Sequence, residues 1–212
     1  MCKIMQRQKI KDIINILSKN FPSTPALKFS TPYELLVAVM LSAQCTDERV
    51  NKVTEKLFAN FNTPEKMVTL SNEQLEKYIF SCGLYRSKAE HILSASKDIL
   101  EKFNGQVPSS LQELQSLAGV GRKTANVVYS VAFNGDAIAV DTHVFRVSNR
   151  IGLANGFTVL KTEKDLMKNI EKKEWKNAHH YLIYLGRTFC KAQKPNCALC
   201  PIKDLCEQNF KR

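Results

Sequence analysis

The chain has 212 residues, enough for one large core or two modest domains. Its 44% hydrophobic and 24% charged residues are an ordinary globular balance. Thirty-one basic against 20 acidic residues give a formal net charge of +11, spread along the chain, which disfavours a basic disordered arm and makes nucleic acid the leading partner. The longest apolar run, Leu35–Leu41, falls far short of the roughly 20 residues that a membrane span needs. MCKIMQRQKIKDIINIL, at the N-terminus, alternates charged and apolar residues and lacks the features of a signal peptide. A cytoplasmic protein is expected. Its thiols would be kept reduced, so seven cysteines need a reason other than disulfides.

Taken in chain order, the segments read as helices. Ile10, Ile13, Ile14 and Leu17 recur at the spacing of one helical face. YELLVAVML (33–41) is apolar on nearly all sides, as expected of a helix enclosed by others. Val50, Val53, Leu57 and Phe58 mark the next face. Thr63-Pro64 sets a capping hydroxyl before a proline suited to the first helical position, and Ser71 with Gln74 fits a capping box. Ala89, Ile92, Leu93, Ser96, Leu100 and Phe103 follow, and then Ser109 with Gln112 as a second capping box. Only VAFNGDAIAV (131–140) carries a hairpin signal, an Asn-Gly pair between apolar flanks, without a wider strand pattern around it. No Gly/Ser linker separates domains, so two domains, if present, are closely packed.

Two stretches carry chemistry. LAGVGRKTANVV (117–128) follows a helix bearing Leu111, Leu114 and Leu117 on one face, so it reads as helix, tight glycine turn, helix. Arg122 stands where a phosphate-binding P-loop needs glycine, and Thr124 where a dinucleotide fingerprint needs its third glycine. The backbone N–H groups of such a turn can hold a phosphate without a side chain, which leaves the job of Lys123 open. Downstream, Cys190, Cys197, Cys200 and Cys206 are separated by six, two and five residues, close enough to converge on one metal centre. Zinc modules usually pair two Cys-x2-Cys knuckles, and only one is present. A compact single run favours an iron–sulfur cube and leaves zinc open. Cys2, Cys45 and Cys82 read as small inert thiols.

The glycine turn with Arg122-Lys123-Thr124-Ala125, the segment AVDTHVFRVSNRIG (139–152) and the four-cysteine run together resemble the endonuclease III family of DNA glycosylases. The likeness extends from FSTPYELLVAVMLSAQCTD (29–47) through GLYRSKA (83–89) to the last cysteine. It implies an all-α protein of two closely packed helical domains with a helix–hairpin–helix motif. Residues 25–135 would form a six-helix barrel, and residues 1–24 with 136–212 a domain carrying a C-terminal [4Fe–4S] cluster on Cys190, Cys197, Cys200 and Cys206. In that family the Asn-Gly segment links helices, so the hairpin reading falls.

The implied activity is that of a bifunctional DNA glycosylase and AP lyase of base excision repair. It removes an oxidised pyrimidine flipped out of duplex DNA, then cuts 3′ to the abasic site by β-elimination through a lysine Schiff base. By resemblance Lys123 is that lysine; a helix end and the neighbouring Arg122 should both disfavour its ammonium form. Asp141 matches the family's carboxylate, and its place before Thr142 also suits a helix N-cap. Gln44 and Leu84 match the positions that fill the gap left by the flipped nucleotide, although Leu84 could equally be core. Gly119, Gly121 and the Val120 N–H should hold a phosphate, and Lys191 and Lys194 make further backbone contacts. The partner is double-stranded DNA containing oxidised pyrimidines or abasic sites, met by a monomer with no membrane role and, through DNA, associated with the nucleoid. His143, His179 and His180 are expected to pack or to hydrogen-bond. An adenine-mismatch glycosylase would lack Lys123 and carry an acid where Ala38 stands, as well as a further domain beyond Cys206. A non-enzymatic metal-knuckle binder would leave the pairing of Lys123 with Asp141 without purpose.

Overall fold

The computed structural model describes residues 5–208, and every regular element among them is helical. The chain runs through α1 (Arg7–Asn20), α2 (Pro32–Ser42), α3 (Asp47–Phe58), α4 (Pro64–Met67), α5 (Asn72–Ile79) and α6 (Tyr85–Phe103). It continues through α7 (Leu111–Ser116), α8 (Arg122–Ala132), α9 (Thr142–Ile151), α10 (Val159–Asn169), a 3₁₀ turn (Lys172–Glu174) and α11 (Trp175–Thr188). Contacts divide it into two compact units: Pro25–Gly135, holding α2 to α8, and the described residues before and after it.

In the Pro25–Gly135 unit, α2 is the central helix. Every residue from Tyr33 to Leu41 is buried, because α3, α6 and α8 pack around it. Each large side chain so enclosed contributes about 1.5–3 kcal/mol of transfer free energy. The Tyr33 hydroxyl does not go unpaired there: it meets Ser96 Oγ of α6 at 2.6 Å. The amphipathic faces fall as their periodicity dictates, with Val50, Val53 and Leu57 buried in α3 and Ala89, Ile92, Leu93 and Ser96 in α6.

Several helix starts follow the side-chain chemistry of the residue before them. Thr31, Thr46 and Thr63 each accept a hydrogen bond from the backbone three residues on, and Ser71 with Gln74 completes a reciprocal box. One start differs from the expectation. The cap of α7 is Ser110 and not Ser109: its Oγ accepts from Glu113 N at 3.2 Å and donates to the Glu113 carboxylate at 2.7 Å. Two adjacent serines offer the same hydroxyl one residue apart, and the register that buries Leu114 selects the second.

The Asn-Gly pair ends α8 instead of turning a hairpin. Asn134 takes the left-handed conformation (φ 52°), and Gly135 N donates to Tyr129 O at 2.9 Å. A Cβ on Gly135 would sit 2.2 Å from the Tyr129 ring, so only glycine allows this exit.

In the other unit α9 packs against α11, with α1 on α11 and α10 on α9. Ile13 and Leu17 of α1, Val144 and Val147 of α9, and Leu182 and Leu185 of α11 share one core with Ile202. Leu185 is fully buried there.

Candidate functional site

The glycine turn sits between α7 and α8. Gly119 is left-handed (φ 72°), and a Cβ on it would lie 2.7 Å from the His91 side chain of α6. Both facts demand glycine. Gly119→Ala should therefore lower stability by about 1–3 kcal/mol, read as a drop in melting temperature. An unchanged melting temperature would mean that the turn relaxes without cost. At Gly121 the surroundings differ: no atom lies within 4 Å of a built Cβ, so the protein itself does not require glycine there. A ligand approaching the backbone would. The Val120 N–H is already given to Leu117 O at 3.1 Å, closing the turn, and the Val120 side chain is buried. Gly121 stands at the cap of α8 without a side-chain bond, so an incoming ligand meets backbone and not a capping side chain at the helix's positive end. Arg122 and Lys123 both lie in that first turn, exposed.

Leu84 and Gln44 occupy two neighbouring loops of the same unit. Leu84 precedes α6 in a left-handed conformation (φ 58°) and is 62% exposed, which removes the core alternative. Gln44, also exposed and left-handed (φ 55°), follows α2. The loops touch: a Cβ on Gly83 would lie 3.2 Å from Gln44 O. Two residues with side chains held in this region store strain of the kind found at ligand-binding points. Beneath them lies a residue that sequence reasoning missed. Lys88 of α6 is buried and donates from Nζ to Leu41 O at 2.8 Å and Ala43 O at 2.6 Å, closing the end of α2. Burial pushes its ammonium below the ordinary lysine value, against the opposite pull of the Cys82 and Cys45 thiols. The available signal was its position on the apolar stripe of α6, one turn before Ile92.

In the other unit Asp141 caps α9, its Oδ1 accepting from Val144 N at 2.8 Å. The approach to it is held by His179, whose Nδ1 meets Ala139 O at 2.8 Å. His180 beside it is buried, and burial pushes its imidazole down to about 3, so it packs as a neutral ring. His143 meets Arg146 across one helical turn, at 3.2 Å. Two arginines of α9 that sequence reasoning passed over grip the cysteine loop. Arg146 donates to Cys190 O and Gly186 O, and Arg150 to Lys191 O at 2.6 Å and Ala192 O at 3.1 Å. Lys191 and Lys194 are exposed on that loop, Lys194 in left-handed backbone (φ 48°).

Cys190, Cys197, Cys200 and Cys206 line a single hollow with Ile151, Leu185 and Phe189, and none forms a disulfide. Burial pushes the Cys200 and Cys206 thiols up, each against a backbone N–H that favours the thiolate. The Gln208 N–H reaches Cys206 Sγ at 3.3 Å, and Arg150 Nη1 reaches Cys190 Sγ at 3.9 Å. Such donors suit thiolates bound to a cluster, whose potential they tune. Four cysteines lining one hollow suit the four thiolate ligands of an iron–sulfur cube. Cys45 and Cys82 lie elsewhere, in the Pro25–Gly135 unit, and Cys2 falls outside the described residues.

Residues 37–172 match the HhH-GPD superfamily of base excision DNA repair proteins, and residues 190–206 match the iron–sulfur binding domain of endonuclease III. The second match begins and ends on cysteines of the hollow. This chain belongs to the endonuclease III family. It is 48% identical to the endonuclease III of Escherichia coli over 98% of its own length and 99% of the relative's. To that of Bacillus subtilis it is 48% identical over 99% and 96%. A solved structure of a trapped endonuclease III–DNA covalent intermediate superposes with a TM-score of 0.91 at 49% identity, covering 98% of this chain and 99% of that one. A thermostable thymine-DNA glycosylase, at 22% identity and a TM-score of 0.85, shares the fold. The chain is accordingly a bifunctional DNA glycosylase and AP lyase of base excision repair, and its cofactor is a [4Fe–4S] cluster. Among the described residues no helix is long and apolar enough to cross a membrane.

Proposed function

We propose that the substrate is an oxidised pyrimidine in duplex DNA, that Lys123 is the nucleophile, and that Asp141 is the carboxylate that assists it. One observation carries this reading: Lys123 lies exposed in the first turn of α8, directly after a glycine turn in which nothing crowds the Cβ position of Gly121. A phosphate gripped by the turn's N–H groups fixes the strand, and the lysine beside them is left free for the sugar.

The chemistry then runs in order. The damaged nucleotide leaves the stack, with Gln44 and Leu84 entering the space that it vacates. Lys123 Nζ, as free amine, forms a bond to the sugar's anomeric carbon while the glycosidic bond breaks and the base departs with a proton. Asp141 offers negative charge to the developing oxocarbenium ion and takes up protons released at nitrogen. Ring opening gives a Schiff base, whose electron-withdrawing C=N⁺ permits loss of the 3′ phosphate by β-elimination. Water then frees the lysine. Cys190, Cys197, Cys200 and Cys206 would ligate the cluster, which fixes the loop presenting Lys191 and Lys194 to the DNA backbone. The protein would act as a monomer in the cytoplasm, on nucleoid DNA.

Duplexes each carrying one defined lesion test this, with product ends identified. Thymine glycol and 5-hydroxycytosine strands should be cut to unsaturated 3′ ends. Release of base without strand scission would contradict the lyase role. Lys194→Ala should weaken binding to every such duplex by a similar factor and flatten the salt dependence by about one counterion. A loss confined to one lesion would mean that Lys194 reads the base.

A further inference from the structure

Two thiols outside the cluster loop flank the contact between the Gln44 and Leu84 loops. Cys45 follows Gln44 directly, and Cys82 precedes Gly83, whose Cβ position lies 3.2 Å from Gln44 O, and the Cys45 thiol is near enough to push the Cys82 thiol up. Other bonds hold the same two loops together. Arg49 Nη1 reaches Ser81 O at 3.4 Å, Gly83 abuts Gln44 O, and Lys88 Nζ grips Leu41 O and Ala43 O. Cys45 is half-buried and reachable, whereas Cys82 is 1% exposed. Burial and the neighbouring Cys45 push the Cys82 thiol up to about 11, with the Lys88 cation pulling the other way.

We propose that Cys45 and Cys82 form a redox-modification site, closing to an intramolecular disulfide by exchange with a low-molecular-weight disulfide such as oxidised glutathione, and so locking that contact. The assignment rests on the reading that Gln44 and Leu84 enter the duplex. Cys45 reacts first because it is the sulfur that a small oxidant can reach. Its thiolate attacks one sulfur of the small disulfide, that S–S bond breaks, and one small thiolate leaves. Cys82 then loses its proton and attacks Cys45 Sγ, expelling the second small thiolate, which takes up that proton. Two protein thiols are oxidised by two electrons in all, and one small disulfide is reduced to two thiols. The scarcity of Cys82 thiolate makes closure the slower step.

The bond has a mechanical consequence. A disulfide holds its sulfurs about 2.05 Å apart, closer than two unbonded sulfurs can approach, so closure ties the two loops together and forbids them to part. Gln44 and Leu84 are already held in left-handed backbone, and both are displaced with their loops. Displacements of this order are enough to slow a chemical step that depends on position.

The test uses the cluster-loaded protein, incubated in glutathione buffers from fully reduced to fully oxidised. Free thiols are alkylated and peptides mapped by mass spectrometry, while visible absorbance reports the cluster in the same samples. A Cys45–Cys82 linked peptide with undiminished cluster absorbance is expected. The bridged enzyme, in excess over a thymine-glycol duplex, should cut about tenfold more slowly or worse and recover with reductant. Cys82→Ala and the milder Cys45→Ser should neither bridge nor slow. The proposal is overturned if both thiols stay alkylatable in oxidised glutathione, if Cys45 stops at a glutathione adduct, or if the bridged enzyme cuts at the reduced rate. A reduced enzyme inactive on every lesion would instead overturn the functional reading, and the linked peptide would still be decided on its own.

Discussion

Lys123→Gln should bind a thymine-glycol duplex within about tenfold of the native affinity and cut it at least about 10⁴-fold more slowly. The two numbers come from separate physics. Affinity rests mainly on phosphate contacts spread over the basic surface, so removing one charge costs one counterion's share. Cleavage needs a bond between nitrogen and the sugar, and an amide cannot form a Schiff base. The side chain is exposed at the start of α8 and closes no core, so the substitution leaves the fold alone. Single-turnover kinetics with enzyme in excess separate the two effects. A phosphate anchor would show the opposite pattern, weak binding with a near-native rate at saturation.

Asp141→Asn should slow base release by about 10²- to 10³-fold and change the melting temperature little. The carboxylate has a structural duty, since Oδ1 accepts the Val144 N–H that opens α9. Asparagine performs that duty almost equally well through its carbonyl oxygen, but it brings no charge to the sugar. Asp141→Ala loses both, adding about 1 kcal/mol of destabilisation to the same kinetic defect. If the asparagine variant released base at the native rate, Asp141 would be a cap and nothing more.

Much of this arrangement was written in the sequence, for identifiable reasons. Helix faces are a matter of local period, so Ile10, Ile13, Ile14 and Leu17 could be placed from spacing alone, and all four are the buried residues of α1. Caps are equally local, as Thr63 and Ser71 show; the slip from Ser109 to Ser110 arose because adjacent hydroxyls are locally equivalent and burial of Leu114 chose between them. The Asn-Gly pair was ambiguous because its left-handed preference serves a hairpin and a helix exit alike. Tyr129, six residues earlier, decides it. What stayed hidden depends on long-range pairing. Nothing near Lys88 announces that Leu41 and Ala43 will accept its hydrogens, and nothing near Arg150 points to Lys191 and Ala192. For the same reason Cys45 and Cys82 read as unrelated inert thiols. The motif pointed to Lys123 and Asp141 at once, but only coordinates show that the Val120 N–H bonds within the turn while Gly121 faces open space.

The most direct measurement is borohydride trapping of the native enzyme on a lesion duplex, followed by digestion and mass spectrometry of the linked peptide. Reduction of the Schiff base should leave a stable enzyme–DNA adduct in which the modified residue is Lys123, and Lys123→Gln should yield none. An adduct mapped to the buried Lys88, to the chain's terminal amine or to any other lysine, or cleavage that proceeds with no trappable adduct, would contradict the account.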